Sequence, residues 1–295
     1  MPRRPSVTRA ALCALAIWCL AGLLLHAQAP VRPARRIISM VPSLTEVLYA
    51  IGAGSQVIAV SRYDHFPADV SRLPTVGGLL DPDVERILAL RPDMVVTYGS
   101  QDDLTGRLAT AGIEAFSFRH GDIAGVRRAY AELGRVTGHE TQAREAVARL
   151  DASIAALRQR LAGRPRPRTL VVFGRESGSL RQLYAAGGRG FMQELVALAG
   201  GTNVFADVDR ESVQPSTETL LARAPEVIVE LHAGEAPSAA QQAREVEAWR
   251  ALGSVPAVRT RRVHLLYGAY LTIPGPRLVL AAEAIARELH PDAFR

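Results

Sequence analysis

The feature that most constrains the fold is a 21-residue segment, 141–161, that contains neither glycine nor proline. Its apolar residues recur at helical spacing, at Ala143, Val147, Leu150, Ile154, Leu157 and Leu161. This periodicity predicts one amphipathic helix, about 30 Å long at 1.5 Å per residue. Such a helix either packs within one domain or bridges two domains. We favour a bridge, because strand-like sequence begins again at 169–173.

Short apolar runs alternate with helical segments before this helix. Strand-like runs lie at 37–40, 57–60, 94–97 and 115–118, with helical segments at 44–51, 83–90, 104–111 and 123–136. Alternation with short connections predicts a parallel sheet with helices on both faces. Ser43 and Glu46 fit a capping box for the first helix, and Asp81 before Pro82 predicts the cap of the second.

The second half of the chain repeats the first in outline. Residues 46–52 resemble 194–200, and 84–96 match 217–229 through a glutamate, two apolar helical positions, a proline, an acid and a strand. A proline follows helices in many folds, but two matches in the same order favour duplicated lobes. The sequence therefore predicts an α/β fold of two doubly wound, Rossmann-like lobes bridged by one long helix, with a ligand cleft between the lobes.

Residues 1–29 have the organisation of a secretory signal peptide. Three arginines precede an apolar stretch at 10–25, and Ala27-Gln28-Ala29 provides a small-x-small cleavage site. The alternative is an uncleaved anchor, although a comfortable membrane span needs about 20 apolar residues. We expect an exported protein, periplasmic or extracytoplasmic, with lobes at 35–138 and 168–295 and the bridging helix at 139–163.

The composition excludes several classes of chemistry. All 35 basic residues are arginine, which excludes Schiff-base lysine enzymes and lysine-dependent phosphate loops. Cys13 and Cys19 both lie in the signal segment, so the remainder has no thiol nucleophile and no cysteine metal site. The net charge of +6 falls to +3 without residues 1–29, which hold three arginines and no acid. A charge this small does not indicate a nucleic-acid partner.

The sequence lacks a convincing catalytic or metal-binding motif. The histidines beyond the signal segment do not have the spacing of a metal site. Residues 174–178 read GxxSG, whereas a nucleophile elbow reads GxSxG. We therefore expect a binding protein with no catalytic residue, no metal site and no resident cofactor. The alternative from another class is a secreted α/β enzyme with its active site in the cleft.

Several motifs resemble those of the periplasmic cobalamin-binding protein family. They lie at 36–46, 61–67, 73–78, 83–96, 199–205 and 214–229. The resemblance runs from about residue 35 to His290. It implies a monomeric receptor that captures cobalamin or a related corrinoid without catalysis and delivers it to the permease subunits of an ABC importer. Receptors for ferric siderophores and haem belong to the same wider group and remain the alternatives.

The resemblance implies a docking role for two glutamates. In the family, one glutamate on the rim of each lobe contacts arginines of the permease, and the motifs place these glutamates at Glu85 and Glu218. The same two residues coincide in the internal repeat, as a two-fold symmetric partner requires. The alternative for each is an ordinary first-turn glutamate that is favoured by the helix dipole.

The resemblance also implies a set of ligand contacts. They are Tyr63, Tyr98 and the late loop of Ala269, Tyr270, Leu271, Thr272 and Ile273. Aromatic faces suit a large flat macrocycle. Tyr98 and Tyr270 stand where the family has tryptophans, and the charged residues of its late loop are replaced here by Ala269, Thr272 and Ile273.

The alternative cargoes require different side chains in the cleft. An anionic ferric siderophore requires cations, and the candidates are Arg62, Arg175, Arg181 and Arg277. Haem requires an axial ligand, and the candidates are Tyr63, His65 and Tyr98.

Overall fold

The computed structural model describes residues 33–119 and 121–295, so the predicted signal peptide at 1–29 lies outside the described residues. Residues 34–295 form one unit. In the described part of the chain, no helix combines the length and apolar character needed to cross a bilayer.

The N-terminal lobe is a four-stranded sheet with helices on both faces. Its elements are β1 (Ile37–Ser39), α1 (Pro42–Ala50), β2 (Val57–Val60), α2 (Val84–Ala89), β3 (Met94–Tyr98), α3 (Asp102–Thr110), β4 (Glu114–Phe118) and α4 (Ile123–Thr137). The strand order is β2-β1-β3-β4, and every pair is parallel. Because neighbouring strand residues point to opposite faces, Ile37 packs with α1 and α4, whereas Ile38 packs with α2 and α3.

The predicted bridging helix is α5 (Glu140–Arg160). Its buried face consists of Ala143, Ala146, Leu150, Ile154 and Leu157. This face packs against α4 of the N-terminal lobe and against helices of the C-terminal lobe. One continuous core therefore runs through both lobes. The lobe limits drawn from the sequence stay predictions, because this shared core crosses them.

The C-terminal lobe contains a mixed sheet. Its elements are β5 (Arg168–Gly174), β6 (Tyr184–Ala186), α6 (Gly190–Leu198), β7 (Thr202–Asn203), β8 (Ser212–Val213), α7 (Thr217–Arg223), β9 (Val227–His232), α8 (Ala239–Glu247), α9 (Pro256–Arg259), β10 (Val263–Tyr267) and α10 (Leu278–Leu289). The strand order is β10-β9-β5-β6-β8, and β7 pairs with β5. The pairs around β6 are antiparallel, whereas β5, β9 and β10 are parallel.

The internal repeat corresponds to equivalent elements of the two lobes. Residues 84–96 span α2 and lead into β3, and residues 217–229 span α7 and lead into β9. Gly52 and Gly200 follow the matched helices α1 and α6 with φ of 84° and 79°, a left-handed conformation that glycine adopts without strain. The predicted fold class, two α/β lobes bridged by one long helix, is confirmed.

The capping box predicted for the first helix is wrong. Helix α1 begins at Pro42, so Val41 is its N-cap and Ser43 lies inside the first turn. The Ser43 hydroxyl is buried and has no hydrogen-bond partner in the described part of the chain. Proline suits the first helical position because its φ is already helical, so the helix starts one residue earlier than the serine predicts.

The cap predicted for the second helix is also wrong. Helix α2 is capped by Asp83, whose carboxylate accepts the backbone N–H of Arg86 at 3.0 Å. Asp81 instead pairs with Arg62 at 2.6 Å. Pro82 therefore precedes the cap and does not occupy the first turn.

Candidate ligand-binding cleft

The candidate site lies where loops at the carboxyl ends of strands from both lobes meet. The loop after β2 and the segment after β10, together with α1, enclose a cavity of about 150 Å³. Its lining comes from both lobes: Pro42, Glu46, Tyr63, His65, Phe66, Ala269, Ile273 and Arg277. Open α/β sheets bind ligands at the carboxyl ends of their strands. The position therefore makes this cleft the candidate binding site.

An ion pair joins the two lobes in the wall of the cavity. Arg277 donates to both carboxylate oxygens of Glu46, from Nε at 2.9 Å and from a terminal nitrogen at 2.6 Å. The Glu46 side chain is only 2% exposed. Glu46 is close to Tyr130, and Tyr130 faces α5. The ion pair is therefore on the side of the cavity that is nearer to the bridging helix. Burial and the charge of Glu46 together raise the pKa of Tyr130 to about 12.

Aromatic side chains surround this ion pair and the mouth of the cavity. The Arg277 guanidinium carbon lies 4.1 Å from the centre of the Phe66 ring and 5.7 Å from that of Tyr270. The Tyr63 side chain is 57% exposed and packs against Gly78. A Cβ atom at Gly78 would lie 2.7 Å from the Tyr63 ring, so only glycine leaves the ring in place. The cleft thus offers aromatic faces to a ligand.

Below Tyr63, a buried carboxylate orders the loop. Asp64 accepts from the backbone N–H of Ser61 at 2.9 Å and from its hydroxyl at 2.5 Å. Burial raises the pKa of Asp64 despite these hydrogen bonds.

Tyr98 is a neutral phenol at physiological pH. Burial is the main cause that raises its pKa to about 12, and the charge of Asp64 is the second cause. Tyr98 does not line the cavity described above; it borders a neighbouring one with Phe118 and Arg119.

The late loop contributes only some of its side chains. Residues 269–272 form a 3₁₀ turn after β10, and Ala269 and Ile273 line the cavity. Tyr270 lies against Arg277, and Thr272 is half-buried. Leu271 is fully buried in the core and does not line the cavity, so this residue does not face a ligand in the cleft.

A buried charge network lies under the C-terminal sheet, and the sequence did not predict it. Glu230 accepts from Arg175 Nε at 3.0 Å and from the indole N–H of Trp249. Arg175 also pairs with Glu245 at 2.8 Å. The Arg175 and Glu230 side chains are 3% and 1% exposed. The one sequence signal was the glutamate Glu230 inside the apolar strand 227–231. Its ion-pair partner, Arg175, is 55 residues away, so the sequence alone did not identify it.

The four arginines considered for an anionic chelate all have carboxylate partners. Arg62 pairs with Asp81, Arg175 with Glu230 and Glu245, Arg181 with Glu176, and Arg277 with Glu46. Arg175 lies in the buried network and does not line the cleft cavity. Each cation considered for an anionic ligand therefore already has a carboxylate beside it, although the pairs of Arg62 and Arg181 are exposed to solvent.

The two docking glutamates occupy equivalent positions. Glu85 is the second residue of α2, and Glu218 is the second residue of α7. Both are exposed, and neither forms an ion pair with another described residue. Equivalent positions of the two lobes therefore both carry an exposed glutamate. The docking role of these glutamates stays a prediction.

These features define a two-lobed solute-binding protein, with a cleft between α/β lobes that share one long helix. The sequence profile of the family described as periplasmic binding protein matches residues 37–269, and the chain belongs to that family. The family has a substrate-binding role in transport and is not enzymatic, so the expectation of a binding protein is confirmed.

Three relatives show the similarity in detail. The vitamin B12-binding protein of Yersinia pestis (strain Pestoides F) is 31% identical over 263 residues, 88% of each chain. The crystal structure of the periplasmic vitamin B12-binding protein BtuF of Vibrio cholerae has a TM-score of 0.73 at 25% identity, covering 89% of this chain and 99% of that one. The periplasmic haem-binding protein BhuT, in complex with two haems, has a TM-score of 0.74 at 25% identity, covering 90% and 100%.

Proposed function

We propose that this chain is an exported receptor that captures cobalamin or a related corrinoid in the inter-lobe cleft and delivers it to the permease of an ABC importer. The observation that carries the proposal is an aromatic cleft, with Tyr63, Phe66 and Tyr270, whose arginine is already paired with Glu46. Such a surface suits a flat macrocycle without excess negative charge. The vitamin B12-binding relatives support the same cargo.

The size of the cavity bears on how a macrocycle binds. A volume of about 150 Å³ is smaller than the 300–1,000 Å³ typical of small-molecule sites. We expect the upper parts of the lobes to separate and admit the ligand, while the ion pair of Arg277 and Glu46 keeps the base of the cleft fastened. The exposed Tyr63 ring then contacts the macrocycle at the rim.

A haem receptor is the second candidate. Tyr63 and His65 line the same cavity, and both residue types serve as axial ligands of haem iron. The similarity to BhuT supports this candidate. However, haem carries two carboxylates, and the arginine that lines this cavity, Arg277, is already paired with Glu46. An anionic ferric siderophore meets the same obstacle, so we place both after a corrinoid.

Calorimetric titration of residues 35–295 with cyanocobalamin tests the cargo. We expect one-to-one binding with a dissociation constant of about 1 µM or tighter. Replacing Tyr63 and Tyr270 together with alanine should weaken binding about tenfold, because the ligand loses two aromatic faces. Tyr184→Ala is the matched control, since Tyr184 is exposed on β6 and does not line the cleft. Saturable binding of ferric haem without any response to cyanocobalamin would assign the haem alternative.

The double variant E85Q/E218Q tests the docking role. It should leave cyanocobalamin affinity unchanged and abolish most of the stimulation that the loaded receptor gives to importer ATP hydrolysis, because two orienting charges are lost. E114Q is the control, since Glu114 is exposed at the amino end of β4, opposite the cleft edge. Loss of cyanocobalamin binding in the double variant would show that the glutamates contact the ligand instead.

A further inference from the structure

Each lobe exposes a leucine one helical turn after its docking glutamate. Leu88 follows Glu85 on α2 and is 37% exposed, and Leu221 follows Glu218 on α7 and is 40% exposed. Only eight large hydrophobic residues are exposed to this degree in the described part of the chain. Two of these eight therefore occupy equivalent positions in the two lobes.

Helix geometry puts each glutamate and its leucine on the same face. Residues three apart in a helix are neighbours on its surface. The core does not need these leucines, because the preceding residues, Ile87 and Leu220, are 0% and 2% exposed and already anchor the two helices. The sequence thus repeats a Glu-x-x-Leu surface pair at 85–88 and at 218–221.

The repetition indicates the kind of partner that fits this surface. A partner that contacts one lobe by chance needs the pair only once, whereas a two-fold symmetric partner presents the same site to both lobes. On the partner, each of the two sites should carry a cation that pairs with the exposed carboxylate. Beside that cation, the partner should have an apolar pocket that receives the leucine. A permease built of two identical subunits would present such a pair of sites.

We infer that Leu88 and Leu221 extend the docking surface proposed for Glu85 and Glu218 and are its affinity-determining contacts. This inference rests on the proposed function. Charges at a rim mainly speed and orient encounter, whereas buried apolar side chains slow dissociation. The glutamates therefore govern the association rate, and the leucines govern the dissociation rate.

Biolayer interferometry against a vitamin B12 importer, reconstituted as permease and ATPase in nanodiscs, separates the two roles. The L88A/L221A double variant should bind about tenfold or more weakly, almost entirely through faster dissociation. The E85Q/E218Q variant should associate more slowly at low salt and lose much of its dependence on ionic strength. Each single leucine variant should show about half of the double variant's change in the logarithm of the dissociation constant, because the two sites are equivalent.

Leu280→Ala is the matched control, since Leu280 is 55% exposed on α10 and lies on neither α2 nor α7. All variants should retain wild-type cyanocobalamin affinity and melting temperature. The inference is overturned if L88A/L221A binds the importer like wild type, or if wild type binds empty nanodiscs equally well. Sedimentation showing a dimer that only the leucine variants lose would assign the surface to a second copy and also overturn it. If the wild type binds neither the importer nor cyanocobalamin, both this inference and the proposed function are wrong. If the wild type binds cyanocobalamin but not the importer, only the docking inference is wrong.

Discussion

Replacing Arg175 with methionine is expected to lower the free energy of unfolding by about 4 kcal/mol. The substitution removes the cation from a network in which Glu230 is 1% exposed, so the carboxylate stays buried without a counter-charge from arginine. Trp249 is the one tryptophan beyond the signal segment, and its indole N–H donates to Glu230. Urea unfolding followed by tryptophan fluorescence therefore reports this network directly.

The control for Arg175 lies in the same loop. Arg181 pairs with Glu176 at 2.6 Å, but this pair is exposed and screened by solvent, so R181M should leave the free energy of unfolding almost unchanged. Adding E230Q to R175M should recover part of the loss, because the amide oxygen still accepts from Trp249 and the side chain at position 230 no longer carries a charge. Glu245, the second partner of Arg175, keeps its hydrogen bonds from Ser177 and Gly178. Equal losses in R175M and R181M would contradict the buried network.

Replacing Arg277 with methionine is expected to cost about 3 kcal/mol and to weaken cyanocobalamin binding about tenfold. Methionine keeps an apolar stem between Phe66 and Tyr270 but leaves Glu46 buried without a partner. Because the pair fastens the lobes, its loss also frees their relative movement, so ligand binding must then order them. Urea unfolding followed by circular dichroism, together with calorimetric titration, measures both effects.

R287M is the matched control for Arg277. Arg287 lies on α10, the helix that begins directly after Arg277, and pairs with Glu283. Because 52% of its side chain is exposed, we expect little change in stability or affinity. E46Q/R277M should regain stability relative to R277M, because the buried charge is gone. If that double variant also regained full cyanocobalamin affinity, the fastening between the lobes would have no part in binding.

The fold was predictable because its signals are local and repeated. The periodicity of 141–161 predicts α5 to within a residue at each end, and the alternation of strands and helices predicts the architecture. The N-caps Val41 and Asp83 were missed because in each case a residue two positions away, Ser43 or Asp81, fits the residue preference of a cap as well or better. Only the packed structure decides which one wins.

The site was only partly predictable, because its contacts are not local. The sequence placed Tyr63, Ala269 and Ile273 among the ligand contacts, and the structure brings these three to one cavity. Neither Phe66 nor Glu46 could be assigned to that cavity, since their contact with Arg277 crosses between the lobes. Periodicity describes which face of an element is buried, but it does not identify the partner of a buried charge.

The ion pair at the base of the cleft has a consequence for biosynthesis. Glu46 and Arg277 are separated by 231 residues, whereas all four strands of the N-terminal sheet lie before residue 119. The first sheet can assemble while the rest of the chain is still being made, but Glu46 has no counter-charge until α10 arrives. A folding chain can therefore form the strands of its N-terminal sheet before it can form the ion pair, so the fastened cleft is completed only when both ends of the chain are present.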